Sequence, residues 1–169
     1  MSDKKNLVHD VAVTEIKSLA EDIKTCMFCT YKEGRLKSRP MSVQLADEDG
    51  NLWFLSSRHS DKNSEIQVDD EVELLFSGGA EKYLALHGTA TISFDHEKIK
   101  ELWNPIAKIW FTEGVDDPNI SVIKFSFDDG YYWDTKHGHM VSMLKMVRSF
   151  VTGAREDDGV EGNLKRNGH

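Results

Sequence analysis

A chain of 169 residues with 39% apolar and 30% charged side chains has the size and balance of one globular domain with a core of its own. Its formal charge of −8 at pH 7 disfavours nucleic acid and anionic membrane surfaces as partners. No apolar run approaches the ~20 residues of a membrane-spanning helix, and no secretory signal is visible behind Met1–Asn6, so the cytoplasm is the expected compartment.

The segment Asp10–Lys24 spaces Val13, Ile16, Leu19, Ala20 and Ile23 as one helical face, which predicts an amphipathic helix lying on a sheet. A first strand follows over Cys26–Tyr31, then a tight turn at Glu33-Gly34. The two cysteines form a C-x-x-C pair, Cys26 and Cys29. On a strand, side chains three apart point to opposite faces, so packing is expected rather than a disulfide or a metal site. A second strand, Arg35–Leu45, carries Pro40 in its middle. Proline has no N–H for the ladder, which implies an edge, a bulge or a gap.

After the turn Asp47–Gly50, strand three runs Leu52–Leu55, and Ser60 is the expected N-cap of a helix from Asp61 to Val68. Strand four is Val72–Phe76, Ser77–Ala80 is a hairpin signal, and strand five is Lys82–Phe94 with a possible bulge at Gly88. Asp95 caps a helix reaching Trp103, Pro105 interrupts it, and Ile106–Phe111 adds a helical turn or two. Strand six, Ser121–Phe127, alternates cleanly. Asp128-Asp129-Gly130 reads as a turn into a short aromatic strand, Tyr131–Trp133. Met140–Val151 spaces Met143, Leu144, Val147 and Val151 as a helix. The charged, glycine-rich stretch 153–169 has the composition of a disordered tail, leaving residues 1–152 as the domain. Short strands joined by hairpin turns, with few helices, predict a mainly β fold: a small antiparallel barrel with attached helices.

Familiar catalytic motifs are absent: the chain has no nucleophile elbow, H-E-x-x-H, phosphate-binding loop or G-x-G-x-x-G. His137-Gly138-His139 offers two histidines without a third ligand. One place does gather chemistry. A strand ending in Ser56-Ser57 and feeding a capped helix start collects free backbone N–H groups, and Lys62 adds a positive charge in the first turn. That arrangement suits an anion; an ordinary capped helix with a solvated lysine would leave the same pattern. Beside it runs the polar strand Arg39-Pro40-Met41-Ser42-Val43-Gln44. Arg39 can grip a phosphate, and Pro40 with Ser42 leaves room for a flat ring. A cofactor so bound would carry the chemistry itself.

The ordered set Gly34–Met41, Leu52–Ser56, Ser60-x-Lys62-x-x-Glu65-Ile66, Gly88-Thr89-Ala90, Leu102–Pro105, Trp110-Phe111 and Tyr132-Trp133-Asp134 resembles the general stress protein 26 family. These belong to the pyridoxamine 5'-phosphate oxidase-like, FMN-binding split barrels. The resemblance implies a six-stranded antiparallel split β-barrel and a homodimer with FMN at each of two subunit interfaces. It implies that Arg39, Pro40, Met41, Ser42 and Gln44 line the flavin and reach its phosphate. Leu55, Ser56 and Ser57 would meet it at the end of the next strand, with Lys62 as the phosphate lysine. Tyr83 would reach the flavin from the partner subunit, Trp133 would match the tryptophan of the oxidases' C-terminal motif, and Trp110 would wall the same pocket. Two departures stand out. Asp61 occupies the place where many of these oxidases carry arginine. Thr135–Gly138 replaces their arginine- and histidine-bearing end, so pyridoxamine phosphate oxidase activity itself is not expected. The implied functions are an FMN-dependent oxidoreductase or a flavin carrier or sensor in a stress response. A haem protein would need His59, His87 or His137 on the iron.

Overall fold

The computed structural model describes residues 2–79, 82–134 and 161–165, with side chains described over 10–79 and 82–133. Its elements are α1 (Ser2–Ile23), β1 (Thr25–Lys32), β2 (Arg35–Ser42), β3 (Leu45–Ala46), β4 (Leu52–Ser57), α2 (Asp61–Val68), β5 (Glu71–Gly78), β6 (Lys82–Ser93), α3 (His96–Leu102), β7 (Ile120–Asp134) and β8 (Glu161–Lys165). Two 3-10 turns, Pro105–Ile109 and Gly114–Asp116, lie between α3 and β7. No helix among the described residues is long and apolar enough to cross a membrane.

All strand pairs are antiparallel, in the order β2-β1-β5-β6-β7-β4-β3, with β8 added beside β7. The two end strands of this order, β2 and β3, are consecutive in the chain and joined only by Val43-Gln44. That joint is tied on both sides: Val43 N–H donates to Lys24 O (2.8 Å) and Gln44 N–H to Trp53 O (2.8 Å). The run 35–46 therefore brings the sheet's ends together and closes a barrel. Pro40 is tolerated because β2 has only β1 beside it, so its missing N–H faces no ladder partner.

The barrel is filled by Phe28, Leu52, Phe54, Leu74, Phe125 and Phe127, with Phe28 and Phe54 edge to face at 5.2 Å. From α1, Ala12, Ile16, Leu19 and Ala20 enter the same core, which is the sheet-covering face that the helical spacing predicts. A second core forms on the outside of the barrel, where Ile99 and Leu102 of α3, with Ala107 and Phe111, pack on Ile120 and Val122.

The structure departs from the sequence expectations in three places. Asp128-Asp129-Gly130 is not a turn: β7 runs unbroken through it. The ladder to β6 passes from His87↔Asp129 to Gly88↔Phe127, leaving Asp128 as the extra residue of a bulge. The Gly88 signal marks its other side, where a Cβ would lie 2.0 Å from Ser126 O. Second, Glu161–Lys165, within the stretch whose composition predicts disorder, forms β8 against β7. Third, the strands number eight among the described residues rather than six. The expected helix Met140–Val151 lies outside the described residues. Cys26 and Cys29 are both free and buried.

Candidate functional site

The strand-to-helix junction forms as its residues dictate. Ser60, in extended conformation, accepts a bond from Asn63 N–H at the start of α2. Two polar networks fix the helix. Asn63 Oδ1 accepts from Ser56 Oγ (2.9 Å) and Ser60 Oγ (3.1 Å), while its Nδ2 donates to Ser121 Oγ (2.8 Å). Two residues later, Glu65 Oε2 accepts from Thr30 Oγ1 (2.5 Å) and from Arg39 Nη2 (2.7 Å), and Arg39 Nη1 donates to Thr30 Oγ1 (2.6 Å). The Glu65 side chain is 6% exposed and that of Arg39 is 25% exposed. Burial pushes the Glu65 carboxyl up, but the bonds from Thr30 and Arg39 and the charges of Arg39 and Lys32 outweigh it, so its pKa is lowered.

Lys62 stands half-buried in the first turn of α2. Among the described residues its ammonium makes no hydrogen bond or ion pair. Burial and then the positive charge of Arg39 hold its pKa below the ordinary lysine value, against the pull of Glu65 and Asp61. A partly desolvated ammonium without a partner, at the start of a helix, matches what an anionic group needs.

The other expected site residues separate into groups. Ser56 is buried and its hydroxyl is engaged by Asn63, so it holds α2 in place instead of presenting a free donor. Leu55 packs on the second core and Met41 on the main core. Pro40, Ser42 and Ser57 are exposed. Gln44 donates to Ser42 O (2.9 Å) and accepts from Asn104, whose Oδ1 caps the 3-10 turn that leads to Trp110. Trp110 is 78% exposed, beside exposed Ile106 and Ile109. Tyr83 and Trp133 face each other across β6 and β7, and Trp133 stacks on Tyr131 at 6.1 Å. Around the closed barrel, β1 and β5 lie between β2 and Tyr83 on β6, and β3 and β4 lie between β2 and β7, which carries Trp133. Across the sheet of one copy, the aromatic pair is thus apart from the Arg39–Lys62 end. Of the histidines considered for iron, His59 is exposed, and His87 lies 3.8 Å from Glu73 on the barrel's outer face. His137 lies outside the described residues. So does His139, and among the described residues no cluster of metal-ligating side chains occurs.

Sequence reasoning gave no role to Thr30, Asn63 or Glu65, although Glu65 sits within the quoted Ser60–Ile66 pattern. The available signal was polarity at buried positions of a short helix, since Asn63 and Glu65 are buried there with Ile66.

A closed antiparallel barrel with one helix entering its core, a second capped beside its wall and a third on its outer face defines a split-barrel protein. The chain belongs to the pyridoxamine 5'-phosphate oxidase like family, whose pattern it matches over residues 11–157. Among solved structures it is similar to the general stress protein 26 of Bacillus anthracis, 26% identical with a TM-score of 0.65, over 72% of this chain and 92% of that one. It also shares its fold with the general stress FMN/FAD binding protein of Xanthomonas citri, 24% identical with a TM-score of 0.61, over 73% and 87% of the two chains. A curated relative, Protein bli-3 of Neurospora crassa, is 23% identical over 156 residues, covering 85% of this chain and 75% of that protein.

Proposed function

We propose that the protein is a homodimeric FMN-binding oxidoreductase, with the flavin phosphate on Lys62 and the ring along Arg39–Gln44. The observation that carries this reading is the half-buried Lys62 ammonium, unpaired among the described residues at the start of α2. Arg39 adds positive charge nearby, and family membership with the FMN/FAD-binding protein of Xanthomonas citri supports flavin as the ligand class. The flavin, when bound, supplies electron transfer at its ring. The chain's own residues bind the phosphate, orient the ring and keep water from one face of it.

The second subunit answers a geometric need. Tyr83 and Trp133 lie across the sheet from Arg39 and Lys62, so a partner would bring its own aromatic pair to the flavin. The barrel's outer face offers the surface for it, with Met27, Leu36, Leu75, Tyr83 and Tyr131 exposed. Light scattering should give a dimer, and a monomer that retains tight FMN binding would sink this arrangement.

Lys62→Ala should weaken FMN binding about ten- to a hundredfold, the worth of one charge-assisted hydrogen bond, and leave riboflavin nearly unchanged. Fluorescence-quenching titrations of both ligands decide it. Equal losses would mean a disturbed fold, and no loss would remove Lys62 from the site. Bleaching of the flavin spectrum with turnover on NADH or NADPH supports the oxidoreductase; an inert yellow protein makes it a carrier.

A further inference from the structure

We propose that Glu65 is a positioning residue of the phosphate site: it holds Arg39 and Thr30, locks α2 to β1 and β2, and offsets the charge of Arg39 beside Lys62. The proposal rests on the reading that Lys62 binds the flavin phosphate. Its geometry is a closed set of three bonds. Glu65 Oε2 accepts from Thr30 on β1 at 2.5 Å and from Arg39 on β2 at 2.7 Å, and Arg39 donates to Thr30 at 2.6 Å. One N–H of each terminal nitrogen of Arg39 is therefore engaged by the protein. Glu65 lies three residues after Lys62 on the same helix, within the range of direct i,i+3 neighbours. Whatever fixes Glu65 fixes the helix backbone from which Lys62 extends.

Stability alone does not call for this arrangement. A buried ion pair can often be replaced by apolar residues without loss, whereas removing one partner strands the other. What the pair supplies is position and charge control. The groups acting on Lys62 are Arg39 from β2, which repels it, and Glu65 and Asp61 from α2, which attract it. Without the Glu65 charge, two cations would face one another with Asp61 as the remaining counter-charge. Lys62 would then give up its proton at lower pH, and the preference for a phosphate-bearing flavin would go with it.

The experiment measures the ratio of FMN to riboflavin affinity against pH, from about 7.5 to 10, above the second phosphate ionisation near 6 and below the ordinary lysine pKa. Flavin-ring ionisation is common to both ligands and cancels in the ratio. In the wild-type chain the ratio should fall as Lys62 deprotonates. Glu65→Gln, which keeps hydrogen-bonding capacity, should leave riboflavin affinity unchanged and move the midpoint of that fall down by about one pH unit. The double variant Arg39→Met/Glu65→Leu removes both opposing charges. Because it also removes the bonds that seat α2 against β1 and β2, its ratio at neutral pH should fall, with its midpoint at or above that of wild type.

A Glu65→Gln midpoint equal to that of wild type, or equal losses for both ligands, would overturn the proposal and leave Glu65 as packing only. Retention of the full neutral-pH ratio in the double variant would also overturn it, because the bonds of Glu65 would then not position Lys62. Should Glu65→Gln fail to fold, the double variant decides alone. A Lys62→Ala chain with an unchanged ratio is a separate failure: that result removes the phosphate reading itself.

Discussion

The short helix α2 is fastened at two points two residues apart, and the fastenings use opposite chemistry. Asn63 is held by three serines, Ser56, Ser60 and Ser121, through bonds between uncharged groups. Glu65 is held by Thr30 and the guanidinium of Arg39, so its bonds depend on charge. A neutral amide satisfied by hydroxyls costs little to bury and does not sense pH. A carboxylate at 6% exposure costs much more unless its cation stays in place. The helix is thus anchored by one part that holds under all ordinary conditions and by one part that also tunes the charge beside Lys62.

Breaking the charged side should cost most. Arg39→Ala strands the buried Glu65 carboxylate and should lower unfolding stability by about 3 kcal/mol, read from urea denaturation. A loss under about 1 kcal/mol would mean that water reaches Glu65 and that the two fastenings are alike. Breaking the neutral side should cost less. Asn63→Ala leaves the buried Ser56 and Ser121 hydroxyls short of a partner, for about 2 kcal/mol by the same measurement.

The smallest effect sharpens the contrast by acid. The folded-state pKa of Glu65 lies below its ordinary value, so its contribution is present above the unfolded carboxylate pKa, about 4.3, and is lost as pH falls through the folded value. The stability gap between wild type and Glu65→Gln should therefore narrow over that acid window. The gap between wild type and Asn63→Ala should stay constant through it. Parallel narrowing of both gaps would show that acid loosens α2 as a whole and that the two fastenings do not differ in kind.

Much of this was legible in the chain. Serine 60 before an acidic residue and a run of helix formers marked α2, and its bounds, Asp61–Val68, are those the sequence predicts. Lys62 falls in the first turn by counting alone. The Glu33-Gly34 turn, with both residues at positive φ, was written in the residue types. Where reading failed, a local signal was ambiguous. Asp128-Asp129-Gly130 has the composition of a turn, but in the ladder it is a bulge, because β6 continues alongside and Gly130 admits the close approach of Ala85 O. The polar end of β4 at Ser56-Ser57 is plain in the sequence, but only the fold shows that Asn63, seven residues on, accepts from the buried Ser56 hydroxyl.

The sequence by itself determined the local events: which segments alternate, which residue caps a helix, where a proline confines its strand to an edge. Each follows from side chains within a few positions of one another, so it needs no knowledge of the fold. Tertiary structure alone decided which charges meet. Thr30, Arg39 and Glu65 lie on β1, β2 and α2, and Asn63 meets Ser121 across a separation of 58 residues. No periodicity encodes such pairings, because they arise only when the run 35–46 closes the barrel and seats α2 beside both strands. Until then Arg39 is a free cation suited to phosphate; after it, that cation is already held by Glu65.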